Sequence, residues 1–230
     1  MTQNDNKPGT RITRRRALLA ASGAIVFAAA GGILAPLSPW AASEAHAASE
    51  VELMKEQGLP DFVLGEATAP NTVIEYSSMT CPHCARFHKN VLPELKSKYI
   101  DTGLARYIIR EFPLDNLAFA AAMLARCAGE KKFFPFVEVI YAKQDEWAFG
   151  EGDPVDRLFK IAKQAGFTKE SFESCLRDQK LLDGITAIRK RANEEFGVNS
   201  TPTLFVNGQL VKGASKIGDL EKHMTLDKKS

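Results

Sequence analysis

The sequence predicts an α/β fold in which an all-helical segment interrupts a set of strands. Three observations carry this. Short apolar runs rich in β-branched and aromatic residues occur at residues 72–76 and 107–109. Residues 113–195 then read almost wholly as amphipathic helix. Strand character returns only at residues 203–211, split by Asn207-Gly208.

Taken in order, residues 48–58 form a polar lead-in. Thr72, Val73, Ile74, Glu75 and Tyr76 read as a strand. Cys81-Pro82-His83-Cys84 follows and opens an amphipathic stretch in which Cys84, Phe87, Val91, Leu92, Leu95 and Tyr99 recur at helical spacing. Pro82 suits a first helical turn, where its missing N–H costs nothing. Tyr107-Ile108-Ile109 reads as a second strand. In the middle, Asp115 or Asn116 caps a helix carrying Ala120, Met123, Leu124 and Cys127, with Gly129 after it. A helix over 136–147 is expected with Pro135 at its start. A third begins at Asp153-Pro154 and ends at Gly166. Phe172, Cys175 and Leu176 mark a fourth, and residues 182–196 a fifth. Asn207-Gly208 between two apolar runs is a hairpin signal, because both residues tolerate positive φ. Ile217, Leu220 and Met224 suggest a last helix.

The N-terminal 47 residues read as an export signal. Four arginines precede an uncharged, Ala- and Gly-rich stretch over 17–43, and Ala45-His46-Ala47 offers a small-residue cleavage site. Thr13-Arg14-Arg15-Arg16-Ala17-Leu18-Leu19 partly matches a twin-arginine motif, so the twin-arginine and Sec routes both stand open, with an uncleaved anchor ranked below them. Without this segment the chain carries 25 basic and 26 acidic side chains. Neither sign dominates, so charge indicates no nucleic-acid partner. All four cysteines (Cys81, Cys84, Cys127, Cys175) follow the signal. An even number in an exported chain favours disulfides.

Cys81 and Cys84, three residues apart at a helix start, are close enough to join. Unpaired N–H groups there favour a negative charge. Cys81 is expected at the helix entrance, exposed and stabilised as a thiolate. Cys84 is expected one turn in and more buried. Disulfide exchange needs both parts: a thiolate that attacks and a second thiol that resolves. A protonated His83 would favour the thiolate further. A stabilised thiolate also leaves well, which points to an oxidant. A metal site would need more ligands. His88 extends the pair to C-x2-C-x3-H, but it equally suits a helix face. Glu75 interrupts an apolar strand. At an edge it would be solvated; beneath the cysteine pair it could exchange a proton with Cys84. Cys127 and Cys175 lie on apolar helix faces and are expected to form a structural disulfide closing about fifty residues, contributing roughly 4 kcal/mol.

These residues together resemble the DsbA-like oxidoreductases of the thioredoxin superfamily, the alphaproteobacterial members most of all. The matching segments are Val73-Ile74-Glu75-Tyr76, the CPHC motif, Arg110-Glu111-Phe112-Pro113-Leu114, and Gly197-Val198-Asn199-Ser200-Thr201-Pro202-Thr203. The resemblance implies a thioredoxin fold over 59–112 and 196–230 with an all-helical insertion over 113–195. It implies that Cys81 is the nucleophile, Cys84 the resolving thiol and Glu75 a buried acid. Thr201-Pro202 becomes a cis dipeptide beside the cysteines and, with Pro82, part of the client-binding surface. No cofactor beyond the Cys81–Cys84 disulfide is expected. The implied setting is periplasmic, with cysteine-containing exported proteins as clients and a membrane oxidase of DsbB type as partner. Thr201 replaces the Val of the best-known oxidases, which leaves isomerase or reductase work as the alternative, beside a non-redox metal-binding or chaperone-like role. About a dozen residues separate Ala47 from residue 59, leaving no room for the dimerisation domain of known dimeric isomerases, so a monomer is expected.

Overall fold

The computed structural model describes residues 50–226 other than residue 56; the export segment expected over 1–47 lies outside them. Five strands, β1 (Val63–Leu64), β2 (Asn71–Ser77), β3 (Ala105–Glu111), β4 (Thr203–Val206) and β5 (Gln209–Val211), form one mixed sheet in the order β1-β3-β2-β4-β5. β2 runs parallel to β3 and antiparallel to β4. β1 and β5 pair antiparallel at the two edges. β1 is two residues long, too short to leave a periodic signal in the sequence.

All seven residues of the central strand β2 are buried. A strand covered on both faces has no solvent side, which explains its near-continuous apolar run. The pleat sorts its neighbours. Val73, Tyr107, Ile109, Leu204 and Val206 belong to the core that holds Cys84 and Phe87. Ile74, Tyr76, Ile108 and Phe205 pack on the other side with Leu53, Ile188 and Ala192. Period two therefore puts Glu75 and Ser77 on the same side as Val73, towards the cysteine-bearing helix.

The helices follow from their caps. α1 (Glu50–Met54) forms within the expected lead-in, because Leu53 is fully buried against the sheet. α2 (Pro82–Asn90) and α3 (Leu92–Leu95) divide what the spacing presents as one helical stretch. Pro93 stands at the division; it has no N–H to donate, and its ring crowds the carbonyl of residue 89. Asp115 caps α4 (Asn116–Cys127) by accepting from the Ala118 N–H at 2.8 Å. α5 (Glu130–Ala142) corrects one expectation. It begins at Glu130, so Pro135 lies inside the helix and not at its start. The fixed φ of proline fits the helix, and buried Phe133, Phe136, Val137 and Ile140 hold the face in place despite the lost hydrogen bond. α6 (Gln144–Trp147) is a separate turn. Asp153 caps α7 (Pro154–Gln164), Thr168 caps α8 (Lys169–Leu176) and Asp178 caps α9 (Gln179–Phe196), which Gly197 ends in the left-handed region at φ 66°. α10 (Ile217–Glu221) stops short of Met224. No helix among the described residues is long and apolar enough to cross a membrane.

The hairpin turn has positive φ at both Asn207 (49°) and Gly208 (79°). Asn207 also accepts from the Thr72 N–H at 2.9 Å, tying the turn to the start of β2. At the end of β3, two buried guanidiniums hold the chain that precedes the sheet. Arg110 donates twice to Asp61, and Arg126 donates twice to Glu111 and once to the Pro60 carbonyl.

Candidate active site

The site is built where β2 ends and α2 begins. Cys81 occupies the N-cap of α2 in extended conformation, with Pro82 following as the first helical residue. The Cys81 N–H donates to the Ser78 carbonyl at 3.0 Å. From the helical segment, buried Gln144 donates its side-chain amide to the carbonyls of Met79 (2.9 Å) and Cys81 (3.0 Å). The loop carrying the first cysteine is thus held at both ends by hydrogen bonds.

Cys81 and Cys84 are both free thiols. Cys84 is fully buried, and Cys81 is only 6% exposed. That corrects the expectation of an exposed Cys81. Its sulfur lies 3.3 Å from the carbonyl oxygen of Thr201, whose peptide bond to Pro202 is cis. The strand-entry loop that carries this dipeptide covers the sulfur. Pro82 itself is exposed on the rim.

The pKa values of the two thiols move in opposite directions. The Cys84 thiol, donating to the Cys81 sulfur, holds the Cys81 pKa down at about 5, and the backbone N–H groups of Cys84 and His83 act in the same direction. Burial pushes the Cys84 thiol well up, and the neighbouring Cys81 and Glu75 add to this. At neutral pH Cys81 is a thiolate and Cys84 a thiol. His83 contributes differently from the expectation. Its ring is exposed, and Nδ1 accepts from Arg86. It is the His83 main-chain N–H that favours the thiolate.

Glu75, fully buried, sits beneath the pair in a polar cluster. Ser77 donates to Glu75 Oε1 at 2.5 Å and lies 2.6 Å from the Tyr141 hydroxyl. The Tyr107 hydroxyl donates to Oε2, and His88 Nε2 lies 3.2 Å from the same oxygen. The Ser77 hydroxyl also opposes the rise of the Cys84 thiol, so it stands between the thiol and the carboxylate. Burial, reinforced by Glu75, pushes the Tyr107 phenol well above its ordinary range; burial, reinforced by Cys84 and Glu75, does the same for Tyr141. Both therefore remain donors. The sequence reading missed Ser77, Tyr107, Tyr141 and Gln144. Only Ser77 left a signal, lying two residues from Glu75 on the same strand face. The His88 ring, read there as a helix-face residue or a metal ligand, belongs to the Glu75 cluster.

Away from the site, Cys127 and Cys175 form a disulfide between α4 and α8, spanning 48 residues.

Residues 58–225 match the thioredoxin family model. A Rickettsia felis protein provisionally called a protein-disulfide oxidoreductase is 38% identical over 154 residues, which are 64% of this chain and 53% of that one. The chain therefore spans about half the length of the curated relatives it matches. The crystal structure of Wolbachia pipientis alpha-DsbA1 superposes with a TM-score of 0.65 at 33% identity, covering 72% of this chain and 92% of that one. BdbD from Bacillus subtilis shares the fold, with a TM-score of 0.64 at 21% identity, covering 73% of this chain and 91% of that one.

Proposed function

The chain belongs to the DsbA-like branch of the thioredoxin family, and from that premise we propose that it is a periplasmic thiol–disulfide oxidoreductase that donates the Cys81–Cys84 disulfide to folding exported proteins. The observation that carries this reading is the contrast between the two sulfurs, with Cys81 held at about 5 while Cys84 is pushed up. A sulfur whose thiolate is that stable leaves readily and makes the dithiol form the favoured one, so the pair gives its disulfide away.

The exchange balances as follows. A client thiolate attacks Cys81 Sγ; the Cys81–Cys84 bond breaks, and Cys84 leaves with the electron pair and takes a proton from its buried surroundings. A second client thiolate attacks the client sulfur of the mixed disulfide, and Cys81 leaves as a thiolate. The client gains a disulfide, and the enzyme pair holds the two electrons. The backbone at Thr201 and Pro202, beside Cys81, suits an extended client segment that pairs strand-fashion. A membrane oxidase of DsbB type would then reoxidise the pair. The small-residue cleavage site and Arg-rich start of the sequence support export, and the chain acts as a monomer.

Mixed disulfides trapped on Cys81 in an exported Cys84→Ala variant test the reading. Exported cysteine-containing proteins are expected on Cys81. A membrane-bound reductase trapped there, with the wild-type pair found reduced in the cell, would favour isomerase or reductase work.

A further inference from the structure

Every cycle moves one proton to or from Cys84, yet Cys84, Glu75 and Tyr107 are all fully buried. Ser77 donates to Glu75 Oε1 at 2.5 Å and acts on the Cys84 thiol, which accounts for the inner half of a path. The outer half is not covered by any role assigned above. His88 is the group at the Glu75 carboxylate that also lines a groove of about 590 Å³ between α2 and the α5–α6 corner. Its Nε2 faces Oε2 at 3.2 Å, and its side chain is only 4% exposed. Its Nδ1 is buried with no hydrogen-bond partner. A histidine retained only for packing would leave that nitrogen unsatisfied, which is costly. The ring is held against Tyr141, with centroids 4.1 Å apart, so its two nitrogens keep a fixed relation to carboxylate and groove.

We propose that His88 relays protons between the buried Ser77–Glu75 pair and the solvent of this groove, and so acts through Glu75 on the resolving thiol. The inference rests on the disulfide-exchange reading above. An imidazole suits the task because one nitrogen can take a proton while the other releases one. The charged and titratable groups around it are Glu75 on β2, Tyr107 on β3, Arg86 and Lys89 on α2, Glu138 and Tyr141 on α5 and Asp145 on α6. The step it serves is resolution. Cys84 gives its proton through Ser77 and Glu75 to His88 Nε2, and the ring, which lines the groove, releases a proton towards it. The Cys84 sulfur attacks Cys81 Sγ, the bond from Cys81 to the bound thiol breaks, and that thiol leaves as a thiolate with the electron pair. In the reverse direction the proton travels inward to Cys84 as it leaves Cys81.

The test uses the full chain charged with glutathione on Cys81, and follows discharge by Cys84 in rapid-mixing experiments across pH. Discharge is expected to slow by at least about tenfold in His88→Gln and His88→Ala, within the usual reach of general acid–base catalysis. The pH profile is expected to shift in both. Added imidazole is expected to restore most of the rate in His88→Ala, where the truncated side chain opens onto the groove. An unchanged rate and pH profile would overturn the relay, as would slowing that imidazole does not relieve. Should His88→Ala fail to fold, His88→Gln decides through its pH profile alone. Alkylation of Cys81 separates the two readings. If it proceeds as in the wild type while His88 variants discharge normally, only the relay is lost; if Cys81 forms no mixed disulfide at all, the oxidoreductase reading fails with it.

Discussion

The side-chain amide of Gln144 donates to the Cys81 carbonyl oxygen at 3.0 Å and to the Met79 carbonyl at 2.9 Å. One residue of the helical segment thus fixes the backbone on which Cys81 sits. Gln144→Leu leaves the Met79 carbonyl without a donor and the Cys81 carbonyl with only the Ala85 N–H at 3.2 Å. The expected loss is about 1–3 kcal/mol per unsatisfied group. Gln144→Glu is expected to fail similarly, because a carboxylate cannot donate. Urea unfolding of the reduced protein measures both, and unchanged midpoints would show that the clamp contributes nothing.

Cys81 is expected to titrate near 5, because the Cys84 thiol donates to its sulfur. Cys84→Ala removes that donor and is expected to raise the Cys81 pKa. Thiolate ultraviolet absorbance and the pH dependence of alkylation both read it. A value unmoved by Cys84→Ala would assign the effect to the helix start alone.

The same depression makes stability of the dithiol form depend on pH. A Cys81 that titrates near 5 when folded and near 8.5 when unfolded contributes stability that is fully present above the unfolded value and is lost as pH falls through the folded one. Cys84 has the opposite sign: its raised pKa lowers stability only as pH climbs past the unfolded value. The reduced protein is therefore expected to gain stability relative to the oxidised one from about pH 5 to about pH 8.5, and then to lose it. Denaturant midpoints of the two redox forms across this range check the shape.

The Cys127–Cys175 bridge closes 48 residues. Its removal in Cys127→Ala/Cys175→Ala is expected to cost about 4 kcal/mol on the chain-entropy account. Cys81 is expected to keep its low pKa, since neither bridge cysteine touches the site. A double variant as stable as the wild type would mean that the native packing of α4 against α8 needs no cross-link.

Arg126 and Glu111 form a buried bidentate pair, with side chains 5% and 1% exposed. Glu111→Gln alone is expected to destabilise by about 3–5 kcal/mol, because it leaves a buried guanidinium without its counter-charge. Glu111→Gln/Arg126→Met is expected to cost less than the sum of its single changes. A double-mutant cycle by thermal or chemical unfolding measures the coupling.

The strand-like runs, the helix caps at Asp115 and Asp153, the Asn207-Gly208 turn and the CPHC spacing were all readable locally. Hydrophobic period, capping chemistry and positive φ are properties of neighbours in the chain, so a sequence carries them whole. The fold class followed from their order. The position of Pro135 inside α5 went the other way, because packing of Phe133, Phe136 and Ile140 outweighs a local preference; the break at Pro93 is local, since its ring and missing N–H interrupt the helix.

The site itself was only half legible. Cys81, Cys84 and Glu75 stand out because a paired thiol motif and a carboxylate in an apolar strand are locally conspicuous. What surrounds them is contributed from far along the chain. Tyr107 arrives through the β2–β3 pairing, Tyr141 and Gln144 through the docking of α5 and α6, and Thr201 through the loop entering β4. Sequence alone determined where the paired thiols lie and that a carboxylate interrupts the apolar strand beside them. Tertiary structure decided how covered Cys81 is, that His83 acts through its backbone, and that Glu75 is met by Ser77, Tyr107 and His88. The reason is physical: charge stabilisation and burial depend on distances between segments, and no local pattern encodes those distances.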